Sequence, residues 1–558
     1  MRLTRLQCAA LLPIFVHLAW SAPAQAGTVV DNANGYTLNA RNEVVQFTAM
    51  AIDDAGRISA IGSAAEVAAK APGARHVDLK GKTVLPGLID AHGHVFELGA
   101  ILGQLDLEGT ATLADALKAT SAYARANPGQ PWLRGRGWNQ EIWKLGRFPT
   151  AFELDAVVAD RPAWLDRIDG HAGWANSRAL QLAGIGRDTP DPAGGKIMHD
   201  AQGKATGVLV DAAMELVYKV MPKASELESR AMLDGALARM AGVGLTGVHD
   251  AGIDASQDAI YRDYATHGKL STRVYAMIAG AQGDFDKLSK GGPVDGIGND
   301  TYALRAVKLF GDGALGSRGA ALIEPYSDEG ASRGLLFHSN AEMLALMDKA
   351  MRAGYQVNVH AIGDATNRQL LDAYEALAKR YGGHDMRHRI EHAQVVAPQD
   401  IARFKVIGVV PSMQPTHATS DMNMAEKRIG AARMQGAYAW RSFLQQGSRI
   451  ACGSDFPIES PNPFFGIHAA VTRQDASGQP IAGWYPEQAM SLKEALRCFT
   501  LDAAWAAHQE GSVGSLEVGK WADFVVIDQD LFKVSPYAIA NTQVLQTWLA
   551  GRPVFTRQ

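Results

Sequence analysis

Eight short apolar runs, six of them ending on Gly, Asp or His, recur through the middle of the chain: "TVLPGLIDAHGH", "GLTGVHD", "STRVYAMI", "ALRAVKLFGDG", "YQVNVH", "RIEH", "IGVVPSMQ" and "RIACGSD". Runs of this kind read as strands buried on both faces. Between the later ones stand stretches such as "AEMLALMDKAMRAG" and "ATNRQLLDAYEALAKRYG", whose apolar positions repeat at helical spacing. Eight strand-plus-helix units predict an α/β fold, a (β/α)8 barrel over residues 87–510. The gap between His94 and His249 is far longer than the roughly 30 residues of a βαβ crossover. A large insertion after the first barrel strand is therefore expected at about 112–219. Residues 27–86 and 511–558 share a different texture, short β-rich segments punctuated by Gly, and are expected to pair as a composite β-sandwich domain.

Residues 1–26 break the pattern. Arg2 and Arg5, the apolar "CAALLPIFVHLAW" and Ala24-Gln25-Ala26 read as a signal peptide cleaved after Ala26, with an uncleaved anchor as the alternative. Export to the periplasm or the medium is the expectation, with no stable membrane insertion after cleavage. The mature chain then keeps only Cys452 and Cys498, too few for a disulfide framework, so stability is expected from the core. With 54 Lys+Arg against 58 Asp+Glu and 47% hydrophobic residues, the composition is globular and nothing calls for nucleic acid. A small-molecule substrate is the expected partner, and a homo-oligomer is left open.

The chemistry lies where the strands end. His92 and His94 stand two apart in "DAHGH", so both imidazoles can reach one point above a strand end. Imidazole suits zinc, which makes the pair a candidate metal site. His360 closes "YQVNVH", His392 closes "RIEH" and Asp455 follows "RIACGS". In a barrel such ends converge on one face. Lys308 ends the fourth run, where an ammonium would be repelled by bound dications. Carbamylation by carbon dioxide would reverse that charge and supply two oxygens; the alternative is an ordinary lysine paired with Asp312 or another carboxylate. His249 in "GVHDAG" and His171 in "DGHAGW" are candidates to orient the substrate or its oxyanion. His249 reads equally well as a residue that orients a ligand, and His171 as one that satisfies a turn. Asp250 and Asp312 are read as structural, and Cys452 as packed rather than nucleophilic.

The ordered motifs "LPGLIDAHGH", "GWNQ", "DGHAGWANSRAL", "VHDAG", "VKLFGDGALGSRGAAL", "RIEHAQ", "GSDFPIESPNPF" and "GSLEVGKWADFVVID" resemble the amidohydrolase superfamily. The match is close to its YtcJ-like branch, which includes N-substituted formamide deformylases. That resemblance implies a metal-dependent hydrolase of carbon–nitrogen bonds other than peptide bonds. It implies that His92, His94 and Asp455 hold one metal and that His360 and His392 hold a second, with a carbamylated Lys308 as the bridge. Zinc is the expected ion, in one or two copies, with iron and manganese as alternatives. Asp455 is expected to shuttle the proton from water to the departing nitrogen. Two other readings keep the same site: hydrolysis of an ester, lactone or cyclic amide, and metal binding without turnover. Five tryptophans crowd the insertion, and Trp138 and Trp174 are expected to line an apolar pocket that selects a bulky hydrophobic substituent.

Overall fold

Eight parallel strands, each drawn from one of the apolar runs, pair in chain order: Leu88–Gly93, Leu245–Ile253, Arg273–Ala279, Tyr302–Phe310, Gln356–Ala361, Arg389–His392, Val410–Met413 and Ala451–Cys452. The computed structural model describes residues 27–558 apart from positions 40, 169, 171, 193, 194, 382 and 383. The expected signal peptide therefore lies outside the described residues. The first strand is buried at every position, as helices on one side and the barrel interior on the other require. A parallel bridge between Gly93 and Phe456 brings the eighth strand's exit back to the first strand, leaving the barrel nearly closed. Two backbone hydrogen bonds hold that seam, Asp455 N to His92 O at 2.7 Å and His94 N to Phe456 O at 2.8 Å. Closure thus fastens the two motifs richest in candidate ligands to each other.

Helices between the strands follow their patterns. Helix Asn340–Arg352 starts at a Ser339/Glu342 capping box and buries Met343, Met347, Ala350 and Met351 on one stripe. The two chain ends share a six-stranded sheet in which Thr83–Pro86 pairs with both Asn34–Leu38 and Phe524–Ile527. A four-stranded sheet of Thr28–Asp31, Ala49–Ile52, Ile58–Gly62 and Arg75–Asp78 packs on it through Val30, Phe47, Met50, Val84, Phe524 and Trp548. Among the described residues, no helix is long and apolar enough to cross a membrane.

The insertion carries a six-stranded sheet of its own that begins at Leu105, before the expected boundary, and runs to Asp211. Its tryptophans correct one expectation. Trp138 and Trp174 have no exposed surface and pack with Trp143, ring centroids 6.2–6.4 Å apart, in the sheet's own core. Their indole N–H groups donate to Leu165 O at 2.7 Å and Thr150 O at 2.8 Å. Both the apolar rings and the polar edges are satisfied within the insertion, so neither residue lines a substrate pocket. A second difference concerns the cysteines. Cys452 and Cys498 are bonded to each other, tying the eighth strand to helix Leu492–Cys498, so the core does not act alone.

Candidate metal centre

The seam between the first and eighth strands organises the site. Asp90 accepts from the backbone N–H groups of His92 and Ser454, each at 3.0 Å, and from the Ser454 hydroxyl at 2.6 Å. Burial nevertheless pushes the Asp90 carboxyl up to about 7. Gly453 lets the two segments touch, since a Cβ there would stand 2.5 Å from His92 N. Asp455 and His392 both have φ in the left-handed region, 61° and 76°, a conformation that costs side-chain-bearing residues energy and is held here by the surrounding contacts.

These constraints bring the side chains together. Asp455 Oδ1 lies 3.4 Å from His92 Nε2 and 3.2 Å from His94 Nε2. Among the described residues, two sets of three have ligand atoms within 4.8 Å of one another: His92, His94 and Asp455, and His392, His417 and Asp455. The His360 and His392 rings are 4.5 Å apart, but His360 belongs to neither set. Its Nε2 is buried without a hydrogen-bond partner and stands 3.6 Å from Asp312 Oδ1. Asp312 is itself committed to the backbone N–H groups of Ala321, Ile362 and Gly363 and to the Thr366 hydroxyl, at 2.8–3.0 Å.

Burial dominates the electrostatics. It drives His92 and His392 well below the ordinary imidazole range, with Lys308 and His360 respectively adding to the effect, and it brings His360 down to about 3. Neutral imidazoles keep the lone pair a cation needs. Burial alone would raise Asp455, but the surrounding histidines outweigh it and hold the carboxyl well below its usual range. Lys308 is fully buried, its Nζ 3.1 Å from His92 Nε2 and 4.7 Å from the centre of the Phe310 ring. It makes no ion pair among the described residues, so the expected alternative partner Asp312 is not used. Burial lowers the Lys308 ammonium against the upward pull of Glu391 and Asp455.

Three residues at the site carry no signal in the strand-end pattern. Glu391 is buried with Oε2 2.5 Å from His92 Nδ1, which leaves His92 Nε2 to face the cluster. Gln414 Oε1 accepts from His392 Nδ1 at 2.8 Å and does the same for that ring. His417, in helix Pro415–Asp421, brings Nε2 to 3.7 Å from Asp455 Oδ2. Beside them, Phe310 is 46% exposed and lies 5.5 Å from the His360 ring, an apolar surface next to the polar cluster.

His249 does not join them. The second strand runs on to Ile253, so His249 is mid-strand, buried, and its Nδ1 accepts from Arg389 Nη1 at 2.9 Å. Arg389 anchors its Nδ1, while its Nε2 is buried without a hydrogen-bond partner. Asp250 is structural as read, accepting from Tyr261 OH at 2.6 Å and Val95 N at 3.3 Å. His171 lies outside the described residues.

The sequence model of the amidohydrolase family matches residues 75–555. The chain is 34% identical to the YtcJ protein of Bacillus subtilis (strain 168) over 87% of its own length and 91% of that protein's. It is 32% identical to an N-substituted formamide deformylase of Arthrobacter pascens, covering 94% of this chain and 97% of that one. An uncharacterized metal-dependent hydrolase from Pyrococcus horikoshii OT3 superposes with a TM-score of 0.78 at 27% identity, covering 91% of this chain and 99% of the other.

Proposed function

Since the chain belongs to the amidohydrolase family, we propose that it is a metal-dependent hydrolase that cleaves an amide-type C–N bond in a small molecule, of the N-substituted formamide or N-acyl class. The observation that carries this reading is the convergence of His92, His94 and Asp455 on one point at the strand ends. The donor set fits a divalent cation of the zinc type. Neutral imidazoles and an ionised carboxylate crowd together, and the buried Nε2 atoms of His360 and His417 have no hydrogen-bond partner. Such an ion, when bound, polarises a carbonyl oxygen and lowers the pKa of water towards about 7.

The chain's own groups do the rest. Asp455 accepts the proton of the attacking water and delivers it to the nitrogen as the C–N bond breaks, so that a formamide would yield formate and an amine. Glu391 and Gln414 fix the tautomers of His92 and His392. Phe310 offers the apolar surface on which an N-substituent rests, taking over the selectivity expected of the insertion. Lys308 in its neutral form can add carbon dioxide, forming an N–C bond and releasing one proton. The resulting carboxylate would relieve the clash of an ammonium with bound cations, and native mass spectrometry with and without bicarbonate tests for it. The Cys452–Cys498 bond suits an oxidising compartment and so supports export; cleavage after Ala26 rests on the Ala24-Gln25-Ala26 motif. N-terminal sequencing of the mature protein tests that.

The activity test is a panel of N-substituted formamides, longer N-acyl amides, esters and lactones offered to zinc-reconstituted protein. Turnover of the amides with loss on chelation supports the reading. Turnover of esters or lactones alone overturns the C–N assignment, and no turnover with stoichiometric zinc overturns the enzymatic one.

A further inference from the structure

The insertion and the barrel do not close completely on each other. Between them lies a cavity of about 300 Å³, large enough for a small organic molecule, and none of the strand-end residues lines it. Two barrel helices, Val95–Leu102 and Glu226–Gly242, make its floor with Gly99, Ala100, Met232 and Gly235. The insertion supplies a wall that carries Tyr123, Trp132 and Arg134. Two hydrogen bonds span the junction and set its shape: Tyr123 OH donates to Gly103 O at 2.5 Å, and Arg134 Nη2 to Pro222 O at 2.8 Å.

Three features of the lining have no explanation in packing. Gly235 stands inside a 17-residue helix, where glycine is less stable than alanine, yet a Cβ there would meet nothing within 4 Å. Its neighbours do not require glycine, and the effect of having one is an open floor. Trp132 is 7% exposed, and its indole N–H, unlike those of Trp138, Trp143, Trp164 and Trp174, has no acceptor among the described residues. Arg134 and Lys223 make no ion pair among the described residues. The one acid of the lining, Glu228, is held by the Ser225 N–H and hydroxyl at 2.7 Å each. Two cations against one committed acid leave the cavity positive.

We propose that this cavity is a second ligand site, separate from the strand-end cluster, for a small carboxylate with an aryl or short alkyl body. The carboxylate meets the Arg134 guanidinium and the Lys223 ammonium, with the Trp132 N–H as a further donor. The apolar body lies over Gly235, between Met232 and the Tyr123 ring. The proposal does not depend on the reaction at the strand ends.

The test is calorimetric titration of phenylacetate and of hexanoate into the full, zinc-reconstituted chain, with 2-phenylethanol as the uncharged counterpart. At least one of the acids is expected to bind with a Kd of about 1 mM or tighter, and 2-phenylethanol about tenfold or more weakly. Arg134→Gln should weaken the acid about tenfold or more, and Lys223→Gln should weaken it less, because that side chain is exposed. Gly235→Leu should abolish binding by filling the floor, with thermal denaturation showing a fold at least as stable as the parent's. If Gly235→Leu does not fold, Arg134→Gln and 2-phenylethanol decide the question by themselves. A His92→Ala, His94→Ala variant should bind the acid as the parent does; loss there would place the acid at the metal centre and overturn the proposal. Binding of neither acid overturns it too, as do parental affinity in folded Arg134→Gln and equal binding of 2-phenylethanol.

Discussion

The strand-end cluster and the insertion are both dense in chemically versatile side chains, yet they use them differently. At the barrel rim, imidazoles and carboxylates are brought within a few ångströms and left incompletely hydrogen-bonded: Glu391 Oε1, His360 Nε2 and His417 Nε2 have no partner. In the insertion, the indole N–H groups of Trp138, Trp143, Trp164 and Trp174 all have acceptors, at 2.7–3.2 Å, and their rings are buried. Unsatisfied polar atoms in a buried site point to a missing occupant, whereas satisfied ones point to a finished core. Residue type alone does not separate the two; the convergence of ligand-type atoms on one point at the rim does.

The largest effect should come from the rim. Asp455→Asn keeps the side chain's shape but cannot take the proton of water, so kcat should fall by roughly 10²–10⁴-fold, measured in steady state with zinc content determined in parallel. A normal kcat would place the proton shuttle elsewhere and weaken the contrast at its strongest point.

In the insertion the corresponding change should act on folding. Trp138→Ala removes the centre of a three-tryptophan core and should cost about 3–5 kcal/mol, the range for large aromatic truncations. Chemical denaturation measures it. The folded fraction should keep the parental preference between aliphatic and aryl substrates. A changed preference in folded protein would return the insertion to the role of specificity element.

What is legible in the sequence follows the same division. Topology alone gathers the C-terminal ends of the barrel strands on one face, so His92, His94, His360, His392 and Asp455, each at or within three residues of such an end, can be collected from separate motifs without any contact information. His417 is hidden because no apolar run ends on it; it sits on a short helix beyond Pro415. Glu391 is hidden because strand alternation sends neighbours to opposite faces, and that rule fails where His392 and Ala393 adopt positive φ. His249 lies level with the first strand's His92 although its own strand continues four residues past it. The tryptophans mislead because an aromatic stretch has the same composition whether its rings face a ligand or one another.

Glu391 offers a finer test of the rim. Glu391→Gln preserves the size but removes the charge that holds His92 Nδ1, and metal affinity should drop by about 10–100-fold while the fold is retained. Competitive zinc titration gives the number. Unchanged affinity would mean that the 2.5 Å contact serves only to satisfy a buried carboxylate.

The smallest expected effect tests whether any aromatic residue selects substrate at all. Phe310 ends the fourth strand, 46% exposed, with Lys308 and His360 as its neighbours. Among the described residues, no cluster of other rings packs on Phe310, which is the respect in which it differs from Trp138. An aromatic contact contributes about 0.5–1.5 kcal/mol beyond area burial, so Phe310→Ala should lower kcat/KM for aryl-substituted amides by roughly 2- to 12-fold. Short aliphatic amides should be almost unaffected, because they do not reach the ring. The readout is the ratio of the two kcat/KM values in parent and variant, which cancels differences in active enzyme concentration. Equal losses on both substrates would show that Phe310 packs the Lys308 and His360 side chains rather than the substrate. In that case the rim, like the insertion, would keep its aromatic surface for itself.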